Sequence, residues 1–148
     1  MKTTTKPDYW AGHRRALLID LDNITITSRG SLAADETERL LRSVQAAAGP
    51  ADWTIAVAPE RSIHRYGSVL ARLNIRWKIV PCLPDAADAE IVSIARELAG
   101  HGYSDYVVAS ADGYFAEIAA FGSLLVVSRT GQPVSRRLRR AAARLVAA

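Results

Sequence analysis

Three short acidic motifs fall where three strands of this chain should end: Asp20-Leu21-Asp22-Asn23, then Asp85 with Asp88, then Ser110-Ala111-Asp112-Gly113. Ala16 to Leu21 is an apolar run interrupted only by the acid at its end, Asp20, as expected for a strand buried on both faces of a parallel sheet. Parallel neighbours need crossover connections, usually helices, which restricts the chain to an open α/β architecture. In such a sheet, side chains leaving the carboxyl ends of adjacent strands converge on one crevice, so acids remote in sequence can share one ion. The spacing therefore points to a divalent-metal site suited to phosphate chemistry.

The rest of the chain keeps the same alternation. From Ala33 to Ala48, Leu40, Leu41, Val44 and Ala48 recur at helical spacing, Asp35 and Glu36 load the first turn, and Gly49-Pro50 stops the helix. Trp53 to Ala58 reads as a second strand, and Ser62 to Leu73 as a helix with Ile63, Tyr66, Val69 and Leu70 on one face. Ile75, Trp77 and Ile79 alternate with Arg76 and Lys78, which predicts a third strand at or near the sheet edge. Pro81 and Pro84 end it.

Asp85 or Asp88 opens a helix through Leu98, Asp105 to Ser110 is a fourth strand, and a short helix runs from Asp112 to Phe121. Ser123 to Ser128 is a fifth strand. Val134, Leu138, Ala142 and Leu145 then line one side of a closing helix. The expectation is a five-stranded, mostly parallel sheet covered by helices on both faces.

A chain of 148 residues, 49% hydrophobic and 23% charged, matches one globular domain and leaves no room for a long disordered region. Residues 1–12 read as a loose arm, in which Tyr9 and Trp10 fasten either to the body or to a second subunit in a homodimer. The start is polar, with Lys2, Lys6, Arg14 and Arg15, so it is not a secretory signal, and no apolar run reaches membrane-spanning length. The expected compartment is the cytoplasm, with no membrane partner. One cysteine, Cys82, forms no internal disulfide and reads as buried or half-buried, and no paired Cys or His spacing suggests zinc.

The net charge of +4 is unevenly spread. Arg129, Arg136, Arg137, Arg139, Arg140 and Arg144 crowd the last twenty residues, where no acid occurs. Arg137, Arg140 and Arg144 make an i, i+3, i+7 stripe able to track phosphates, or simply the solvated side of a helix. Trp77 between Arg76 and Lys78 could stack a nucleotide, but core packing is the expected role.

The segments Leu18-Ile19-Asp20-Leu21-Asp22-Asn23, Ala87-Asp88-Ala89-Glu90 and Ala109-Ser110-Ala111-Asp112-Gly113-Tyr114-Phe115 together resemble the NYN family, relatives of PIN-domain nucleases. The likeness spans nearly the whole domain, residues 13–148. It implies a three-layer α/β/α fold with strand order 3-2-1-4-5 and a metal-dependent ribonuclease acting on RNA, expected to be single-stranded. Position by position, it makes Asp20, Asp88 and Asp112 the metal-binding acids and Asn23 their companion; Asp22, Asp85 and Ser110 beside them are expected to be auxiliary. Ala111 stands where the family signature has a glycine, and Tyr114 where it has a second acid. The likeness further implies that a water activated by Mg²⁺ or Mn²⁺ attacks phosphorus in line, leaving a 5′-phosphate and a 3′-hydroxyl.

Each acid also has a plain structural reading. Asp112, Asp85 or Asp88 can be a helix N-cap, and Asp22-Asn23 ordinary turn residues. Asp20 resists this, because an acid directly after a buried strand is costly without solvent, partner or metal. Two rival functions follow. Tyr114 in the acidic signature suggests a catalytically weakened module that binds RNA or a protein. Asp20-Leu21-Asp22-Asn23 also resembles the opening Asp-x-Asp of haloacid-dehalogenase-like phosphatases, although Ile24 stands where that family has threonine and no lysine follows the third strand in a matching place.

Overall fold

The sequence-marked strands assemble into a single sheet whose neighbours all run parallel. In this computed structural model, residues 14–148 are described; the expected arm of residues 1–12, with Tyr9 and Trp10, and His13 lie outside the described residues. The strands are β1 (Arg14–Asp20), β4 (Trp53–Pro59), β5 (Arg76–Val80), β6 (Tyr103–Ala109), β7 (Ser123–Ser128) and β8 (Arg144–Ala147). A two-stranded antiparallel hairpin, β2 (Ile26–Thr27) with β3 (Gly30–Ser31), stands apart from them. The helices are α1 (Leu21–Thr25), α2 (Ala34–Ala48), α3 (Glu60–Arg72), α4 (Ala86–Ala99) and α5 (Arg136–Ala141), with a 3₁₀ helix over Gly113–Ala120 where the short helix was expected.

Sheet order is β5-β4-β1-β6-β7-β8. The five expected strands keep their expected relative order, and a sixth lies outside them. β1 alternates Leu17 and Ile19 toward one layer with Ala16 and Leu18 toward the other. The first layer packs under α2 and α3 through Leu41, Val44, Tyr66 and Leu70, the second under α4, the 3₁₀ helix and α5 through Ile91, Phe115, Ile118 and Leu138. Fully burying each such side chain contributes about 1.5–3 kcal/mol, so two covered faces hold the central strands firmly.

The sixth strand corrects the expected closing helix. Helix α5 stops at Ala141, Ala142 is extended at φ −75° and ψ 135°, and the Ala143 amide donates to the Leu124 carbonyl at 2.8 Å. From there Arg144–Ala147 pairs along β7 and satisfies backbone groups that an open edge would leave bare. Arg144 is thereby removed from the helical stripe it was expected to share with Arg137 and Arg140.

Two further expectations are overturned at the opposite edge. Trp77 is 46% exposed and Ile79 47% exposed rather than packed in the core, because β5 is the last strand on its side. Cys82 is exposed as well, held in the proline-bounded loop after β5. Among the described residues no helix is long and apolar enough to cross a membrane.

Candidate functional site

The chain builds β1, β4 and β5 in one direction and then returns to place β6 on the other side of β1. This reversal opens a crevice at the carboxyl ends of β1 and β6, the position where open α/β sheets bind ligands. Asp20 is the last residue of β1, and Ser110 to Asp112 follow directly on β6. Asp20 is buried to 4% exposure. Burial pushes its carboxyl up to about 7, and the charges of Asp88, Asp112 and Asp22 push the same way, against a smaller lowering by the Ser110 hydroxyl.

Asp88 enters from the first turn of α4 and is also buried. Its carboxyl is likewise pushed up to about 7, first by burial and then by the charge of Asp112, with both Asp85 and Asp112 in hydrogen-bonding contact. Asp85 precedes α4 in the left-handed conformation, φ 61°, and makes no side-chain cap bond. Its expected role as a cap is therefore not realised. Asp112 does cap: its Oδ1 accepts from the Tyr114 amide at 3.0 Å, while its charge still reaches Asp20 and Asp88.

The cleft so formed has a volume of about 600 Å³ and is lined by Asp20, Asp22, Asn23, Asp85, Asp88 and Asp112, with Ile26, Gln132 and Pro133 at its margin. No ion pair between these acids and a basic side chain occurs among the described residues. The acids are instead neighbours of one another, and burial together with like charge favours the protonated forms of Asp20 and Asp88. Among the described residues no three His, Cys, Asp or Glu side chains are set as a formed coordination shell. The donor set, all carboxylate oxygen and short of positive charge, fits a hard divalent cation in chemistry, and Asp20, Asp88 and Asp112 are the groups that would turn in to hold it.

Asn23 lines the cleft beside the acids and is also held by its neighbours. Its Oδ1 accepts from the Ala111 amide at 3.0 Å and from Gln132 Nε2 at 2.8 Å, so it ties α1 to the turn after β6. Gln132 also donates to the Asn23 carbonyl and accepts from the Arg129 amide. Asp22 accepts a hydrogen bond from the buried Ser62 hydroxyl on α3. Sequence reasoning missed Gln132 and Ser62, because a strut has no motif. Tyr114, in the place of the family's second acid, packs edge-on to Phe115 at 6.1 Å and against the core.

The arginines of the last twenty residues do not share one surface. Arg136, Arg137 and Arg140 line a groove of about 490 Å³ between α5 and the 3₁₀ helix, shared with Glu117. The groove adjoins the acids, since the Ser135 amide donates to the Ala111 carbonyl at 3.0 Å. Gly113 permits this approach: a Cβ there would come within 2.5 Å of Ser135 Oγ. Arg129 is half-buried and donates through Nη1 to the Ile24 carbonyl at 2.9 Å, a structural tie, and Arg144 stands on the outer strand.

No protein-family model matches the chain. No curated protein matches it either. A crystal structure of a protein of unknown function from Vibrio parahaemolyticus RIMD 2210633 is similar in fold, with a TM-score of 0.69 at 16% sequence identity over 93% of each chain. At that identity the likeness speaks for the α/β architecture alone.

Proposed function

We propose that this chain is a metal-dependent ribonuclease of the NYN/PIN-like type. The observation that carries the reading is Asp20, a buried carboxyl at a strand end, raised to about 7 amid Asp88, Asp112 and Asp22 and facing no basic partner. Such an arrangement destabilises a fold unless a ligand uses it, which is why strongly perturbed acids in a cleft indicate a functional site. A bound Mg²⁺ or Mn²⁺ supplies the charge that offsets a phosphodiester and the acidity that activates a water. The chain's own part is to supply oxygen donors from Asp20, Asp88 and Asp112, to release protons from Asp20 and Asp88 on cation binding, and to hold Asp112 in place through its cap bond. Arg136, Arg137 and Arg140 bind the flanking phosphates, which the acids alone would repel. The likeness to that family adds RNA as the substrate and makes the single strand the form bound.

Tyr114, standing where the resembled signature has a second acid, favours one alternative, a catalytically weakened module that binds RNA or a protein partner through the same pocket and α5. A phosphatase of the haloacid-dehalogenase type is disfavoured, since the one lysine among the described residues, Lys78, lies exposed on edge strand β5. Incubation of single-stranded RNA with purified protein and Mn²⁺ distinguishes them. The nuclease reading expects cleavage that Asp20→Asn lowers by at least about a thousandfold, the scale of losing several kcal/mol of charge stabilisation. Equal cutting by Asp20→Asn would end it. Calorimetry with no heat at millimolar Mn²⁺ would favour the binding module.

A further inference from the structure

Beside the acidic cleft lies a second notch of about 250 Å³, walled by Val80, Pro81, Leu83 and Pro84 and floored by Asp22, Asp85 and Asp88, three residues it shares with the cleft. We infer that this notch is a nucleobase subsite: it receives the base of an unpaired nucleotide whose phosphate lies over the neighbouring acids. The inference rests on the ribonuclease reading and adds a reason for single-strand preference, because a base held in a duplex cannot turn into a side notch.

The notch is built rather than accidental. Val80 ends β5, and the prolines on both sides of the turn cannot extend the ladder. The Leu83 amide donates to the Pro81 carbonyl at 2.9 Å, and the Ala86 amide donates to the Leu83 carbonyl at 3.2 Å. This holds Leu83 66% exposed at the rim, the most exposed of the large hydrophobic side chains among the described residues. Asp85, in the left-handed conformation that asparagine and aspartate tolerate best, then turns the chain into α4.

Charge decides what fits. Among the described residues the notch carries three carboxylates and no basic group, which disfavours a phosphate there, whereas a flat neutral ring with N–H donors on its edge meets apolar walls and acceptors. The phosphates of the same strand have the arginine groove, linked to the cleft through the Ser135–Ala111 backbone bond. A protein side chain could use the apolar wall, but the shared acids make the notch continuous with the proposed phosphate site, which favours the nucleotide.

Cys82 supplies the test, being the one cysteine of the chain, exposed, and part of the notch wall. Its rate of modification by a thiol reagent is measured on the full chain with Ca²⁺ alone, with a single-stranded oligoribonucleotide, with the matching duplex, and with an abasic ribose-phosphate oligomer of equal charge. Fluorescence anisotropy reports binding in parallel. The single strand should slow modification severalfold, and the duplex and abasic oligomer should not. Leu83→Ser should weaken single-strand binding about fivefold, near 1 kcal/mol of lost apolar contact, and leave abasic binding unchanged. A single strand that binds yet leaves Cys82 unprotected, or an abasic oligomer that protects equally, overturns the base subsite while the nuclease reading stands. An absence of RNA binding overturns both.

Discussion

Ser110 Oγ donates to Asp20 Oδ2 at 3.1 Å across a separation of 90 residues, while the same oxygen accepts from the Asp112 amide at 3.1 Å. One buried hydroxyl thus fixes two of the three proposed metal-binding acids relative to each other. It joins the end of β1 to the end of β6, the two strands that flank the crevice. The bond also favours the ionised form of Asp20, opposing the burial and like charges that raise it.

Ser110→Ala should therefore act through Asp20 and not through binding of RNA. The pH at which cleavage reaches half its maximum should move upward, with KM for RNA little changed and kcat near neutral pH lowered about tenfold, an ordinary effect for losing one hydrogen bond to a charged group. A pH profile of the variant with Mn²⁺ checks this. Ser110→Thr, which keeps the hydroxyl, should recover the original midpoint.

Stability without divalent cations should fall as pH rises. Asp20 and Asp88 are raised to about 7 in the fold from an ordinary value of 3.8, so the folded state holds protons that the unfolded state releases. Their contribution is whole below pH 3.8, declines as the pH climbs, and is lost above about 7. Urea denaturation at pH 5 and pH 8 measures the difference. Asp20→Asn should be the more stable protein at pH 8 by a few kcal/mol, on the order expected for a shift of this size. Millimolar Mn²⁺ should raise Tm more at pH 8 than at pH 5, because protons compete with the cation.

Replacing Arg136, Arg137 and Arg140 together by Ala should weaken RNA binding at every sequence and lower the slope of log affinity against log salt by about 2, near 0.7 for each lost phosphate contact. Titrations at several salt concentrations read the slope directly. Arg129→Ala should behave differently, lowering Tm through its lost tie to Ile24 and leaving the salt slope alone.

Gly122 sits where the 3₁₀ helix hands over to β7, and a Cβ there would lie 2.2 Å from the Ser104 carbonyl oxygen. Backbone cannot yield as a side chain can. Gly122→Ala should cost about 1–3 kcal/mol, the scale of overpacking, detectable as a lower midpoint in urea with an unchanged slope.

Much of this arrangement was legible before any coordinates. The apolar run Ala16 to Ile19, closed by Asp20, reads as a strand buried on both faces, and Leu40, Leu41 and Val44 declare a helix by period alone. Once parallel strands are granted, Asp20 and Asp112 must emerge at the same edge, so their meeting follows from topology rather than from sequence distance. Asp88 was readable for the same reason, from its place at the start of the crossover helix.

What lay beyond the sequence was decided by competition between surfaces. Residues 144–147 left a helical pattern because the bare edge of β7 offered backbone hydrogen bonds, and that edge exists only after the sheet has formed. The edge position of β5 was itself indicated by the alternation with Arg76 and Lys78, but that Trp77 stays in solvent there was decided by packing. Asn23 and Gln132 became struts, and Arg129 a tie, because their partners are brought within reach only by packing. Sequence period and acid placement determined the sheet and the crevice. The assignment of each polar side chain to structure or to ligand waited on distances that only the folded chain creates.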